Sequence, residues 1–291
     1  MKLKGKVSII TGAASGIGQA TAVKFVKEGA IVAVCDVNLE AAQATVAKLQ
    51  AAGGEAVAYL VNVTDKAQIA SMVADVKTRY GRIDVLVNNA GIVMDAQLTK
   101  MTDEQFDTVI DINLKGVYNC ARAVVDTMVE QGSGVILNAS SVVGLYGNFG
   151  QSNYGAAKMA LVGLMQTLSI EGAKNDIRVN CLAPTAATRM TENLMPDTVL
   201  KLLQPEAVTP GLLALVADDA PTRAILCAGA GSFERAHITL TPGIFVGLPD
   251  DAAEQVALNF DALSDRDDDT VPESGSAQGT SEIGKAMRAV G

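Results

Sequence analysis

Seven short runs of this 291-residue chain are apolar on both of their alternating faces: "VSIIT", "IVAVCD", "AVAYLV", "VLVNN", "GVILNAS", "IRVNCLA" and "AILCAG". None of them has a face fit for water, and longer stretches with helical patterning separate them. Strands buried on both sides and joined through helices form a parallel sheet covered on both faces. Helix stops agree with this reading, because Gly29 and the pair Gly53-Gly54 stand where a C-terminal cap belongs. The expected fold is α/β: a Rossmann-type, doubly wound, seven-stranded parallel sheet with helices on both faces, followed by a C-terminal extension.

After Gly231 the pattern changes. "HITLTPGIFVG" reads as two short extended pieces around Thr241-Pro242-Gly243, and "LPDDAAEQVALNFDAL" as a helix entered through Pro249. Residues 264–281 are rich in Asp, Ser and Gly and read as a mobile linker. "EIGKAMRAVG" reads either as a small docking helix or as a frayed end. We expect a dinucleotide-binding and catalytic domain over 1–245 and an extension over 246–291.

Composition narrows the functions. A net charge of -9 with no cluster of Lys and Arg argues against a nucleic-acid or anionic-membrane surface. No run approaches the roughly 18 continuous apolar residues of a membrane span. The basic, then apolar start "MKLKGKVSIITGAASGIG" is too short in its apolar part for a signal peptide and runs into a glycine loop instead of a cleavage site. Cys35, Cys120, Cys181 and Cys227 are widely spaced, so neither a metal site nor a disulfide framework is expected. These features lead us to expect a cytoplasmic protein.

The first strand enters "TGAASGIG" and a helix follows directly. In such a turn glycines allow a tight bend and a close backbone approach to a pyrophosphate, while the helix N-terminus supplies N–H groups and partial positive charge. Gly12, Ser15, Gly16, Ile17 and Gly18 are therefore candidate cofactor residues. Asp36, at the end of the second strand, stands where a carboxylate accepts hydrogen bonds from an adenosine ribose. No Lys or Arg lies among Ala13 to Ser15 or at Val37 and Asn38 to receive a 2′-phosphate, so NAD is expected over NADP. Tyr154 and Lys158, four apart in "NYGAAKMAL", share a helical face. Spacing alone leaves them as ordinary neighbours or as a working pair. His237, the only histidine, reads as structural.

Taken in order, "TGAASGIG", Asp36, "NNAG" (88–91), Asn113 in "NLKG", Ser141 and "YGAAK" (154–158) resemble the short-chain dehydrogenase/reductase family. The resemblance implies Tyr154 as general acid/base, Lys158 as the group that lowers its pKa and holds the nicotinamide ribose, Ser141 as the group that orients the substrate oxygen, and Asn113 as support for a proton-relay water. It adds Asn62 and Val63 near the adenine, Asn89, Ala90 and Gly91 against the cofactor, and Pro184, Thr185 and Thr188 after the sixth strand. A cation about 5 Å from a phenol, at an effective dielectric of about 20, contributes about 3 kcal/mol, so Tyr154 is expected to titrate roughly two units below its ordinary value. Gly144, Gly147 and Gly150 would let the chain fold back between Ser141 and Tyr154.

"PTAATRMTE", "LQPEAV" and "AGAGSFERAHI" are similar to the dehydrogenase units of peroxisomal multifunctional β-oxidation enzymes and their stand-alone bacterial relatives. That similarity implies a (3R)-3-hydroxyacyl-CoA substrate, with a steroid, polyol or other secondary alcohol as the enzymatic alternative and a non-catalytic NAD-binding regulator as the alternative of another class. Met190, Leu194, Met195, Val199, Leu200, Leu202 and Leu203 could form an adaptable lid over an acyl chain. Family members associate as dimers or tetramers through the helix bearing Tyr154, where Ala156, Ala157, Ala160 and Gly163 permit close packing.

Overall fold

The computed structural model describes residues 1–187 and 196–290. Two compact units result, Met1–Arg235 and Ala236–Gly291, so by compactness the chain divides at 235/236 and not at the expected 245/246. The first unit alternates strand and helix from its start: β1 (Val7–Thr11), α1 (Gly16–Lys27), β2 (Ile31–Asp36), α2 (Leu39–Ala51), β3 (Glu55–Leu60), α3 (Lys66–Tyr80) and β4 (Val85–Asn88). It continues with α4 (Asp103–Ile110), a π turn (Asp111–Lys115), α5 (Gly116–Gln131), β5 (Gly134–Ala139), α6 (Val142–Tyr146), α7 (Ser152–Gly172) and β6 (Ile177–Thr185). After the short helices α8 (Asp197–Leu200) and α9 (Thr209–Ala214) come β7 (Ile225–Gly229) and β8 (Ser232–Ala236).

The strand order is β3-β2-β1-β4-β5-β6-β7-β8, and the paired strands from β3 to β7 run parallel. The order reverses between β1 and β4, which opens a crevice at the carboxyl ends of those strands. Alternation along each strand feeds two cores. Ile10, Val34, Val87 and Leu137 pack under Phe25 of α1, Leu49 of α2 and Leu212 of α9. Their neighbours Ile9, Leu86 and Ile136 are equally buried and face the layer in which α3 packs on α5 and α4 on α7. Gly29 and Gly53 follow the α1 and α2 caps at φ 87° and 81°, the left-handed residues those helix ends require.

The sheet has eight strands where seven were expected. The eighth leaves β7 through a two-residue turn, Ala230-Gly231, with φ of 50° and 80°. Such a turn joins antiparallel neighbours and takes the primed form. It escapes a sequence reading because alanine seldom adopts positive φ. β6 also runs two residues past "IRVNCLA", through Pro184 and Thr185, which pair with Ala228 and Gly229.

In the second unit the two expected extended pieces reduce to a single bridge between Leu240 and Thr270. The expected helix is broken into α10 (Ala252–Leu258) and α11 (Phe260–Leu263) around Asn259, and α12 spans Gly275–Val290. The linker expected over 264–281 therefore ends earlier. Side-chain bonds from Gln278 to Glu282 and from Thr280 to the Ser276 carbonyl, each four residues apart, brace the helix over residues read as linker.

Candidate active site

A cleft of about 430 Å³ lies at the crevice between β1 and β4. Gly12, Ser15, Gly16 and Ile17 line it from the glycine loop, Asp36 from the end of β2, Asn62 and Val63 from beyond β3, and Asn89, Ala90 and Gly91 from beyond β4. Val37, Val61, Ile92 and Ile112 join them. These four were missed because an apolar residue at a strand end looks like core; the signal was their adjacency to the polar candidates.

The loop's glycines act in different ways. Gly12 sits at φ 64°, and a Cβ there would stand 2.9 Å from the Ala90 Cα. Gly18 lies beneath the cleft, where a Cβ would overlap the Gly12 carbonyl and stand 2.9 Å from the Ala13 Cα. Asn89 ties the loop to β4, its Nδ2 donating to the carbonyls of Thr11 and Gly12, both at 3.1 Å. Asn88 works elsewhere, donating to Asn138 Oδ1 across β4 and β5. Asn62 Oδ1 accepts from the N–H and hydroxyl of Thr64, which folds the chain entering α3. The positive end of α1 opens at this loop with no acidic residue in its first turn, an arrangement suited to an anionic ligand group.

Beside the cleft, Asn113 from the π turn, Ser141 from the start of α6, and Tyr154 and Lys158 from α7 come together. Asn113 lies in the π turn, a local widening of the helix that recurs at functional sites. Its Nδ2 donates to the carbonyls of Ile92 and Val109, both at 3.0 Å, while its buried Oδ1 has no partner among the described residues. That oxygen faces Gly91, where a Cβ would stand 2.5 Å from it and 3.4 Å from Lys158 Nζ. Gly91 is thus the hinge between the cleft and the polar cluster. Lys158 is 3% exposed and its Nζ donates to the Ala139 carbonyl at 2.7 Å. Nζ stands 5.4 Å from the centroid of the Tyr154 ring.

Ser141 caps α6, its Oγ accepting from the Val143 N–H at 3.1 Å, and its hydroxyl stands near enough to the Tyr154 phenol to bear on its titration. Several supports are illegible in the sequence. Ser140 donates to the Lys158 carbonyl at 2.8 Å. Asn153, fully buried, donates to the Met94 and Gln105 carbonyls and accepts from the Tyr154 N–H. Gly147 and Gly150 do turn the chain at φ 78° and 76°, but Gly144 serves close packing: a Cβ there would stand 2.8 Å from the carbonyl carbon of Lys158. Pro184 and Thr185 close β6 apart from the residues that line the cleft. Thr188 lies outside the described residues, as do Met190, Leu194 and Met195. Of the remaining lid candidates Leu203 is buried, Leu200 half-buried, and Val199 and Leu202 exposed.

The titration of the pair departs from the expected lowering of Tyr154. Burial pushes the phenol above its ordinary value of 10.0; the Ser141 hydroxyl works against that shift and the nearby Asp95 carboxylate adds to it. Burial likewise pulls the Lys158 ammonium down from 10.5 to about 8. Desolvation penalises whichever form is charged, and here it outweighs attraction within the pair. Because the folded Lys158 gives up its proton about two units before the unfolded one, the unfolded state binds more protons between about pH 8 and 10.5, and stability rises with pH across that window. From pH 7 to 9.5 the wild type should therefore gain about 2 kcal/mol relative to Lys158→Met, read by urea unfolding at both pH values. Equal pH dependence of the two proteins would refute the depressed lysine.

Comparison with known proteins bears directly on this cluster. A family model described as short chain dehydrogenase matches residues 6–198. A 3-oxoacyl-acyl-carrier-protein reductase of Thermotoga maritima is 46% identical over 229 residues, covering 75% of this chain and 93% of the relative. Peroxisomal multifunctional enzyme A of Dictyostelium discoideum is 38% identical over 286 residues; the match takes in 95% of this chain but only 64% of that enzyme's length. A crystal structure of a short chain dehydrogenase from Mycobacterium avium superposes with a TM-score of 0.81 at 35% identity, covering 91% of this chain and 97% of that one. With these motifs on this sheet order and a family match over most of its length, the chain belongs to the short-chain dehydrogenase family of nicotinamide-dependent oxidoreductases.

Proposed function

We propose that the protein is an NAD-dependent alcohol dehydrogenase whose first substrate is a (3R)-3-hydroxyacyl-CoA, oxidised to the 3-oxoacyl thioester. The observation that carries the reading is the convergence of Asn113 Oδ1 and Lys158 Nζ on Gly91, because it joins a dinucleotide-sized cleft to a buried proton-handling cluster. NAD, when bound, accepts hydride from the carbinol carbon and brings a positive charge that favours the phenolate. Gly12, Ser15 and Gly16 would hold its pyrophosphate, Ile17 would pack near its nicotinamide, and Asp36 would bind its adenosine ribose. Asn62 and Val63 would flank the adenine, and Ala90 and Gly91 would leave room for the rest.

Tyr154 takes the hydroxyl proton, Ser141 orients the alcohol oxygen by hydrogen bond, and Lys158 bonds the nicotinamide ribose and stabilises the phenolate. Asn113 Oδ1, a buried acceptor, anchors the chain of donors by which that proton leaves toward solvent. No histidine is needed. Pro184 and Thr185, at the end of β6, would stand toward the nicotinamide end.

The acyl-CoA assignment draws on the match to the Dictyostelium enzyme over nearly the whole chain, together with the exposed Val199 of α8 and Leu202 just after it. A second reading draws on the Thermotoga relative, whose name specifies reduction of a 3-oxoacyl group on a carrier protein. The chemistry at C3 is the same and the direction opposite. Self-association through α7 accords with exposed Met159 and Ile170 and with the open space beside Gly163. Initial rates with NAD and with NADP, over a panel of 3-hydroxyacyl-CoA, steroid and polyol substrates, test the assignment. Turnover should be fastest with NAD and a hydroxyacyl thioester, and a preference for NADP or for another alcohol would overturn the corresponding half.

A further inference from the structure

Behind the glycine loop lies a buried polar group that the proposed reaction does not use. Thr45 of α2 is fully buried. Its hydroxyl accepts from Gln19 Nε2 of α1 at 2.7 Å and donates to the Ala14 carbonyl at 3.4 Å, and the same Gln19 nitrogen donates to that carbonyl at 3.2 Å. On the other side of the same residue, the Ala14 N–H donates to Asp36 Oδ2 at 3.2 Å. Asp36 Oδ1 accepts from the Asn38 N–H at 3.0 Å, and Asn38 in turn caps α2 through its bond from the Ala41 N–H. Both carboxylate oxygens and both polar groups of Ala14 are therefore tied into α1 and α2.

We infer that Thr45 and Gln19 are positioning residues for cofactor choice: by clamping Ala14 they hold the Asp36 carboxylate in place against a ribose 2′-phosphate. The inference rests on the reading of Asp36 as the ribose-facing residue. A 2′-phosphate is accepted only if Asp36 turns away or the Ala13–Ser15 loop withdraws. Either movement breaks the Ala14–Asp36 bond, and withdrawal of the loop also leaves the buried Thr45 hydroxyl without its acceptor, a costly state in a dry site. Discrimination by a repulsive element works only while that element cannot move aside. The clamp supplies that rigidity at a distance from the ligand.

The test compares kcat/KM for NAD and for NADP in the wild type, Thr45→Val, Thr45→Ser and Gln19→Met, with thermal unfolding recorded for each. The NAD-to-NADP ratio should fall about tenfold in Thr45→Val and Gln19→Met, with kcat at saturating NAD within about twofold of wild type. Thr45→Ser, which keeps the hydroxyl, should retain the ratio. If the side chains merely join α1 to α2, the unfolding temperature drops while the ratio stays fixed, and the inference is overturned. Gln19 is only half-buried, so Gln19→Met keeps the test decisive if Thr45→Val does not fold. A wild type that prefers NADP removes the Asp36 reading itself, whereas a wild type that prefers NAD with unmoved ratios in the variants removes only the clamp.

Discussion

Tyr154→Phe should lower kcat about a thousandfold while the Kd for NAD, read by quenching or calorimetric titration, stays within about threefold. The substitution removes one oxygen and leaves the ring, so packing against Lys158, 5.4 Å away, is preserved. The loss falls on kcat because the phenol acts only as the alcohol proton leaves, and general acid/base groups contribute about two to four orders of magnitude. Fold stability should change little, since Tyr154 is only half-buried and the ring that packs the site is kept. A variant with unchanged kcat would remove Tyr154 from the proton path.

Gly144→Ala should be strongly damaging to the cluster. The new Cβ would stand 2.8 Å from both the Lys158 carbonyl carbon and the Met159 nitrogen, and backbone atoms cannot rotate aside as a side chain can. The helix α6 must lift from α7, at a cost of about 1–3 kcal/mol. Ser141 caps α6, whereas Tyr154 and Lys158 belong to α7. Lifting therefore separates the group proposed to orient the oxygen from the group proposed to take the proton, and a displacement of about 1 Å costs roughly a hundredfold in rate. Crude activity should fall by that factor in protein that still unfolds cooperatively and binds NAD. Full activity would show that the two helices yield without disturbing the cluster.

The same contrast shows what the sequence makes legible. A glycine loop between an apolar strand and a helix, and an acid at the next strand end, follow from local chemistry, and Gly12, Gly16 and Asp36 stand on the cleft they were expected to line. Four-residue spacing places Tyr154 and Lys158 on one helical face, but the roles given to them come from the family resemblance and not from the spacing. Gly144 is different: its contact is with a chain segment reached only after α6 turns back on α7. The π turn at Asn113 and the positive φ of Ala230, which starts β8, leave no trace in composition or periodicity. The direction of the Tyr154 shift was misread for the same reason. Spacing reports a nearby cation, but desolvation depends on the whole packed surrounding.

Asn153 is a related case. Beside Tyr154 in "NYGAAK" it looks like a polar residue at a helix start, yet its amide binds carbonyls of Met94 and Gln105 from a distant loop and from α4. Such supports set where the phenol stands without touching a ligand, and only the fold brings their partners together.

The proposed activity of the Ser141–Tyr154–Lys158 cluster is oxidation of a 3-hydroxyacyl thioester with NAD. Its most direct test is the initial rate of reduced-nicotinamide formation when the wild-type protein and NAD are mixed with (3R)- or (3S)-3-hydroxyacyl-CoA. Steady turnover of the (3R) thioester is expected, at least about a hundredfold faster than of its mirror partner. No turnover of either thioester, by protein that oxidises another secondary alcohol with NAD, would contradict it.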